Sequence, residues 1–368
     1  MELGIFAPSI SGATHGRPGC PFIVSKVETR TDWRWEYNCE LARLADDYGF
    51  GMYFIGGRFR GHGESRFHGY QLEAFTLAAS LASVTRRIQL VSTIHTGLWH
   101  PGIMAKLGAT VDQISHGRWM INIVSGWVKD EYDMFGVPWL EHEARYGMSR
   151  EFITILKGLW TQERFDFHGK HFHIEDGYLQ PKPIRQPHCP IVNAGTSPVA
   201  KQMTAELCDW YFSSSFSVEQ LKAEVKEVKQ MAAALGRTVR VVTYAFVLCR
   251  ETEAQAQAEA QDIRAHGDYD AARVFAERMI LQTIGTREVI TGGKPVLSQE
   301  MLDMLILGLG ARPLIGSPDQ VAEGLQTLAD VGADAVLLGF PHYIEDLRFF
   351  QQTVTPLLQQ ARVVTMSA

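Results

Sequence analysis

Eight short apolar runs that read as β-strands alternate with eight helical patterns along this chain, and that rhythm confines it to an α/β architecture with a parallel sheet. The strand-like runs fall at 2–6, 51–55, 87–93, 118–124, 190–194, 210–214, 240–247 and 335–340. Helical spacing occupies 32–47, 71–84, 101–114, 144–159, 197–208, 218–235, 318–331 and 344–358, with Asp32 placed to cap the first and Pro101 suited to a first helical position. Strand then helix, eight times over, predicts one (β/α)8 TIM-barrel domain over 1–368. Such a barrel needs only ~250 residues. The surplus is assigned to insertions at about 8–31, 161–188 and 267–313, the second reading as a hairpin and the third as a lid.

Composition narrows the class. With 46% hydrophobic and 21% charged residues the chain is globular, and a net charge of −6 argues against nucleic acid as a partner. It holds no apolar run long enough for a membrane span, and its first residues show no leader, so a cytoplasmic protein is expected. Five scattered cysteines without a Cys-x-x-Cys pair read as reduced thiols.

Several chemistries are excluded by motif. Gly308-Leu-Gly310-Ala-Arg-Pro313 fails as a dinucleotide fingerprint, because Pro313 stands where the third glycine belongs. No Walker loop, nucleophile elbow or His-Glu-x-x-His occurs. His168, His171 and His173 lack further ligands at matching spacing and read as a solvated hairpin face, so no metal is expected.

The positive signals sit where strands end, which in a parallel barrel is where chemistry is built. Asn122 is a lone polar residue in the apolar run 118–124, readable as a core amide or as a site group. Thr93 closes the third run, and Arg58 lies just past the second, after Gly57. Ala194-Gly195-Thr196-Ser197 closes the fifth run and opens a helix, which makes either a phosphate cradle or a plain N-cap turn. Arg145 and Tyr146 add a guanidinium and a phenol.

Together these stretches resemble the bacterial-luciferase-like flavin monooxygenases, nearly end to end. The resemblance rests on 120–127 with Glu131-Tyr132, on Trp139-Leu-Glu-His-Glu-Ala-Arg-Tyr146, on Ala194-Gly-Thr-Ser197, and on 314–322 and Gly339-Phe-Pro-His342. Within that group 24–33, Ile123-Val-Ser-Gly-Trp127, Trp139-Leu-Glu-His142, Leu159-Trp-Thr-Gln162 and Asp209-Trp-Tyr-Phe212 are most similar to dimethyl sulfone monooxygenases. The resemblance implies a two-component enzyme: reduced FMN arrives from a separate NADH-dependent flavin reductase, O2 is the co-substrate, and the C–S bond of a small neutral organosulfur compound is cleaved to a sulfinate. It also implies a homo-oligomer, dimer or tetramer, for which the apolar helix 144–159 offers a face. Carried over from the similar pyrimidine monooxygenases, FMN contacts fall on Gly57, Arg58, Asn122, Glu131, Arg145, Tyr146 and Ser197, joined by Gly195 and Thr196 of the same turn; oxygen contacts fall on Thr93 and Asn122. The related alkanesulfonate enzymes carry Arg and His on the seventh strand, where this chain has Tyr244 and Phe246, and a Tyr where it has Phe340. These departures favour a neutral substrate over a sulfonate. Opening of a heterocyclic amide such as a pyrimidine, alkanesulfonate oxidation, deazaflavin-dependent hydride transfer and non-catalytic flavin binding stand as alternatives.

Overall fold

The computed structural model describes residues 1–12, 17–215, 217–283, 298–361 and 363–364. Its strands are β1 (Glu2–Phe6), β2 (Met52–Ile55), β3 (Gln89–His95), β4 (Trp119–Val124), β5 (Phe165–His168), β6 (His173–Gly177), β7 (Ile191–Asn193), β8 (Trp210–Phe212), β9 (Arg240–Cys249), β10 (Arg312–Gly316) and β11 (Ala335–Gly339). Its helices are α1 (Trp35–Asp47), α2 (Ala74–Ala82), α3 (Pro101–Ser115), α4 (Lys129–Met134), α5 (His142–Thr161), α6 (Pro198–Leu207), α7 (Val218–Ala234), α8 (Glu253–Ala265), α9 (Tyr269–Thr283), α10 (Gln299–Ile306), α11 (Pro318–Asp330), α12 (Tyr343–Thr353) and α13 (Thr355–Gln360).

Parallel pairing runs β1–β2–β3–β4–β7–β8–β9–β11 and returns to β1, closing the eight-stranded barrel that the sequence rhythm predicts. Closure depends on β9, whose first residues pair with β8 and whose middle pairs with β11. The far end of β9, Ala245–Cys249, carries β10 alongside it as an extra strand. The short hairpin β5–β6 stands apart from the barrel, as read from sequence. On it His168 Nδ1 and His173 Nδ1 lie 2.9 Å apart and exposed, and the described residues contain no metal-binding group of three.

Alternation along each strand divides the core in two. Met52, Phe54, Val91, Met120, Val192, Trp210, Val242 and Leu337 point into the barrel. The opposite faces pack against the surrounding helices. At the N-terminal mouth Arg240 lies 4.0 Å over the Trp210 ring and bonds Glu2 at 2.8 Å, plugging that end. Toward the other mouth Phe6, Phe54, Phe212 and Tyr244 meet at centroid distances of 5.3–6.3 Å, a layer of rings on which a site can rest.

Local signals account for most boundaries. Pro101 opens α3 with His100 Nδ1 accepting the Gly102 amide at 3.2 Å, and α3 ends at His116 with φ 55. The first helix begins at Trp35, beyond Asp32; the Asp32 carboxylate instead accepts the Arg34 amide at 3.1 Å and orders the turn before it. The apolar residues of α5 do not form a free face. Phe152, Ile153, Ile155 and Leu156 are fully buried within this chain, which removes that argument for an oligomer. Among the described residues no helix is long and apolar enough to cross a membrane.

The first and third insertions pack on one another, through Val24 N–H to Ile306 O (3.0 Å) and Asp268 N–H to Val24 O (2.8 Å). The third contains α9 and α10 and runs into the first residues of β10; its Thr291-Gly-Gly-Lys294 stretch, whose residues suit a turn, lies outside the described residues.

Asp46 ties α1 to the segment entering β3. Its buried carboxylate accepts the amides of Arg86, Arg87 and Ile88 at 2.8, 2.8 and 2.7 Å. Burial works to raise its pKa, but the three amides outweigh it and hold the value below 3.8. A depressed carboxylate contributes stability above its unfolded pKa and loses it as pH falls through the folded value. Asp46→Ala should therefore cost about 1.5–3 kcal/mol in denaturant unfolding at pH 7, and the gap to wild type should shrink below about pH 4; a gap independent of pH would show that the charge contributes nothing.

Candidate active site

A cavity of about 410 Å3 opens at the C-terminal ends of the strands, where Val124, Asn193, Phe212 and Tyr244 reach it from β4, β7, β8 and β9. One side is the turn from β7 into α6. Ser197 is the N-cap residue in extended conformation, yet its hydroxyl does not cap the helix: Ser197 Oγ is buried without a partner. The side chain thus does not make the cap that a plain N-cap turn would have. Tyr146 of α5 neighbours Ser197; burial raises the Tyr146 pKa and the Ser197 side chain acts in the other direction. Gly195 is needed here, because a Cβ would meet the Tyr146 hydroxyl and the Ala200 Cβ at 2.5 Å each.

Arg145 stands next to Tyr146 with its guanidinium 4.0 Å over the Trp139 ring and Nη1 donating to Gly126 O. Its Nε is buried and unpartnered. Arg58 forms the opposite side, 3.8 Å over the Trp127 ring, with Nε and Nη1 buried and unpartnered. Burial lowers its pKa to about 10, with Glu131 acting in the other direction, so it remains a cation at neutral pH. Phe275 of α9 completes this wall by packing edge-on to Trp127 at 5.9 Å.

Thr93 and Asn122 are register partners on β3 and β4, and both point into the barrel. Asn122 Nδ2 donates to Thr93 Oγ1 at 3.1 Å, while Asn122 Oδ1 is buried with no partner. Asn122 lies one inward position below Val124, which lines the cavity. Thr93 borders a separate recess of about 10 Å3 shared with Gly57, Arg58 and His95, room for about one water.

The structure thus gathers Arg58, Arg145, Tyr146, Gly195, Thr196 and Ser197 around one cavity. Thr93 and Gly57 reach only the recess, Arg58 borders both the cavity and the recess, and Asn122 lines neither, lying one inward position below Val124. Glu131 lines neither and is fully buried. Trp127 and Phe275 join the cavity without having been assigned to it from sequence, and so does Tyr244, which was weighed there only as a departure on the seventh strand. Strand alternation could have placed Tyr244, two positions beyond Val242, but nothing local marks Phe275. Of the three departures weighed against a sulfonate, only Tyr244 faces the cavity. Phe246 is fully buried outside it, and Phe340 packs on Tyr343 and Phe350. The inference that charged donors are missing does not hold for the cavity as a whole, since Arg58 and Arg145 both line it.

Residues 1–335 match the family model described as luciferase-like monooxygenase. The chain is 36% identical to an FMNH2-dependent dimethylsulfone monooxygenase of Pseudomonas putida, covering 98% of this chain and 96% of the relative. It is 31% identical to the pyrimidine monooxygenase RutA of Stutzerimonas stutzeri, covering 99% and 98%. The fold superposes on an EDTA monooxygenase from Chelativorans sp. BNC1 with a TM-score of 0.83 at 22% identity, covering 100% of this chain and 95% of the other. The chain belongs to the luciferase-like monooxygenase family.

Proposed function

We propose that the protein is a two-component monooxygenase that takes reduced FMN from a separate NADH-dependent flavin reductase and uses O2 to oxidise a small neutral sulfone, cleaving its C–S bond to a sulfinate. One observation carries the reading: buried polar atoms without partners gather on the wall of one cavity at Arg58, Arg145 and Ser197, with one more, on Asn122, a single inward strand position beneath the cavity-lining Val124. Ser197 Oγ, Arg145 Nε, Arg58 Nε and Nη1, and Asn122 Oδ1 are all orphaned, and such groups are ordinarily satisfied by something. A phosphate at one end and a polar ring system beyond it fit that set.

Reduced FMN, when bound, supplies the electron pair that activates oxygen. The chain does the rest. Ser197, the Gly195–Thr196 turn before α6 and the Arg145 guanidinium would hold the phosphate. The Trp127 face fixes Arg58 in orientation, so its guanidinium stands at the cavity wall without the freedom of a surface arginine. Because Asn122 Nδ2 donates to Thr93 Oγ1, the Thr93 hydroxyl keeps its own hydrogen to donate, and Asn122 Oδ1 remains an acceptor. Phe212, Tyr244, Phe275 and Leu309 present apolar surface that excludes water and suits an uncharged substrate.

Arg145→Ala should weaken FMN binding by about 1.5–3 kcal/mol, the scale of a charge-assisted hydrogen bond; an unchanged dissociation constant would place the phosphate elsewhere. Asn122→Ala should retain FMN while substrate oxidation is lost and oxygen is consumed unproductively, so undiminished product formation would remove Asn122 from the chemistry. The substrate class is tested by anaerobic loading with reduced FMN, then aeration with dimethyl sulfone, uracil or methanesulfonate and product analysis. Methanesulfinate from the first alone is the expected result; turnover of uracil or methanesulfonate instead would transfer the assignment to that class.

A further inference from the structure

We infer that Glu131 is a positioning residue that acts on the cofactor through Arg58 and does not itself touch it, an inference that rests on the flavin reading above. Glu131 stands on α4 and is fully excluded from solvent. Its Oε1 accepts the amides of Phe59 and Arg60 at 2.8 and 3.2 Å, the two peptide units that follow Arg58. Its Oε2 turns toward His95, 3.5 Å from Nδ1, and makes no hydrogen bond. Glu131 is not part of the cavity wall, whereas Arg58 is.

The same loop is held from a second direction by the neighbouring acid. Arg278 of α9 pairs with Asp130 Oδ2 at 2.7 Å and bonds Gly61 O at 3.0 Å and His62 Nδ1 at 2.8 Å. Gly57, before Arg58, is packed so closely that a Cβ would meet Thr93 O at 2.9 Å. Backbone fixed on both sides thus projects Arg58 over Trp127 with two nitrogens unspent. Leaving a buried guanidinium partly unsatisfied costs free energy, so the loop would rotate it away unless something stronger opposed this. The grip of one buried carboxylate on two amides is that opposition, and the same carboxylate supplies a negative charge near the cation. His95 stays neutral, its pKa pushed down to about 3 by burial and by Arg58, so it does not compete as a counter-charge.

Substitution separates acting through Arg58 from direct contact. Glutamine at 131 keeps a carbonyl oxygen for the two amides, whereas leucine keeps bulk and loses the acceptor. The experiment is anaerobic titration of full-length protein with reduced FMN for wild type, Glu131→Gln, Glu131→Leu, Arg58→Met and the Glu131→Leu/Arg58→Met double variant, each checked by thermal melting. Glu131→Leu should weaken binding by about tenfold with Arg58 present and by less than about twofold in the Arg58→Met background, the non-additivity expected of residues acting as a unit. Glu131→Gln should stay within about threefold of wild type, because the acceptor is rescued. A loss in Glu131→Gln as large as in Glu131→Leu, or a Glu131→Leu loss undiminished without Arg58, overturns the inference. Should Glu131→Leu fail to fold, Glu131→Gln decides alone. Wild-type protein that binds no flavin would instead sink the flavin reading itself.

Discussion

Closure of the parallel ring at β9 is the constraint from which the site follows. A closed ring fixes the register of every strand against its neighbours, and a slip of one residue would turn each inward side chain outward. Thr93 and Asn122 face each other because β3 and β4 pair Leu90 with Trp119 and hold that register to His95 and Val124. Their hydrogen bond is therefore set by backbone pairing rather than by the two side chains finding each other. The helix start at Ser197 depends on the same closure, since it follows from where β7 ends.

Above that ring, tryptophan faces solve the problem of keeping two cations beside an apolar cavity. Arg58 lies over Trp127 and Arg145 over Trp139, so each guanidinium has one face covered and its edge left for hydrogen bonding. Glu131, the carboxylate whose charge acts on Arg58, is kept behind the loop. A carboxylate on the cavity wall itself would have neutralised the cradle. The layout therefore favours a ligand that brings negative charge to the arginines and apolar surface to Phe212, Tyr244 and Phe275.

The barrel was legible in the sequence because each of its eight strands carries apolar residues on both faces, one set for the interior and one for the helices. β10 was not. It begins Arg312-Pro313 and follows the glycines of 307–311, a composition that speaks for a turn, and its pairing with the far end of β9 is decided by tertiary contact. α4 was missed for a different reason: Lys-Asp-Glu-Tyr-Asp-Met is too short and polar to show a period, so nothing local marked its acids and Glu131 was named only through the family resemblance. Residues that line the cavity on strand ends or helix starts could be named in advance from position alone. Phe275 could not, because a helix inside an insertion has no register to the barrel until the chain has folded.

The environment of the histidines follows from the same crowding. His68 and His95 have pKa values pushed down to about 3, and His62 lower still, in each case by burial first and Arg58 next. Near neutral pH these rings are uncharged, so the positive charge on this side of the cavity rests with Arg58 and Arg278. Arg58, whose pKa is lowered only to about 10, therefore keeps this wall positive at neutral pH where a buried histidine would not. Arg278 also joins that wall mechanically to α9, through Asp130, Gly61 and His62. A perturbation of the third insertion thus reaches Arg58 along defined bonds, and the insertion that contributes Phe275 to the cavity also braces the loop that contributes Arg58.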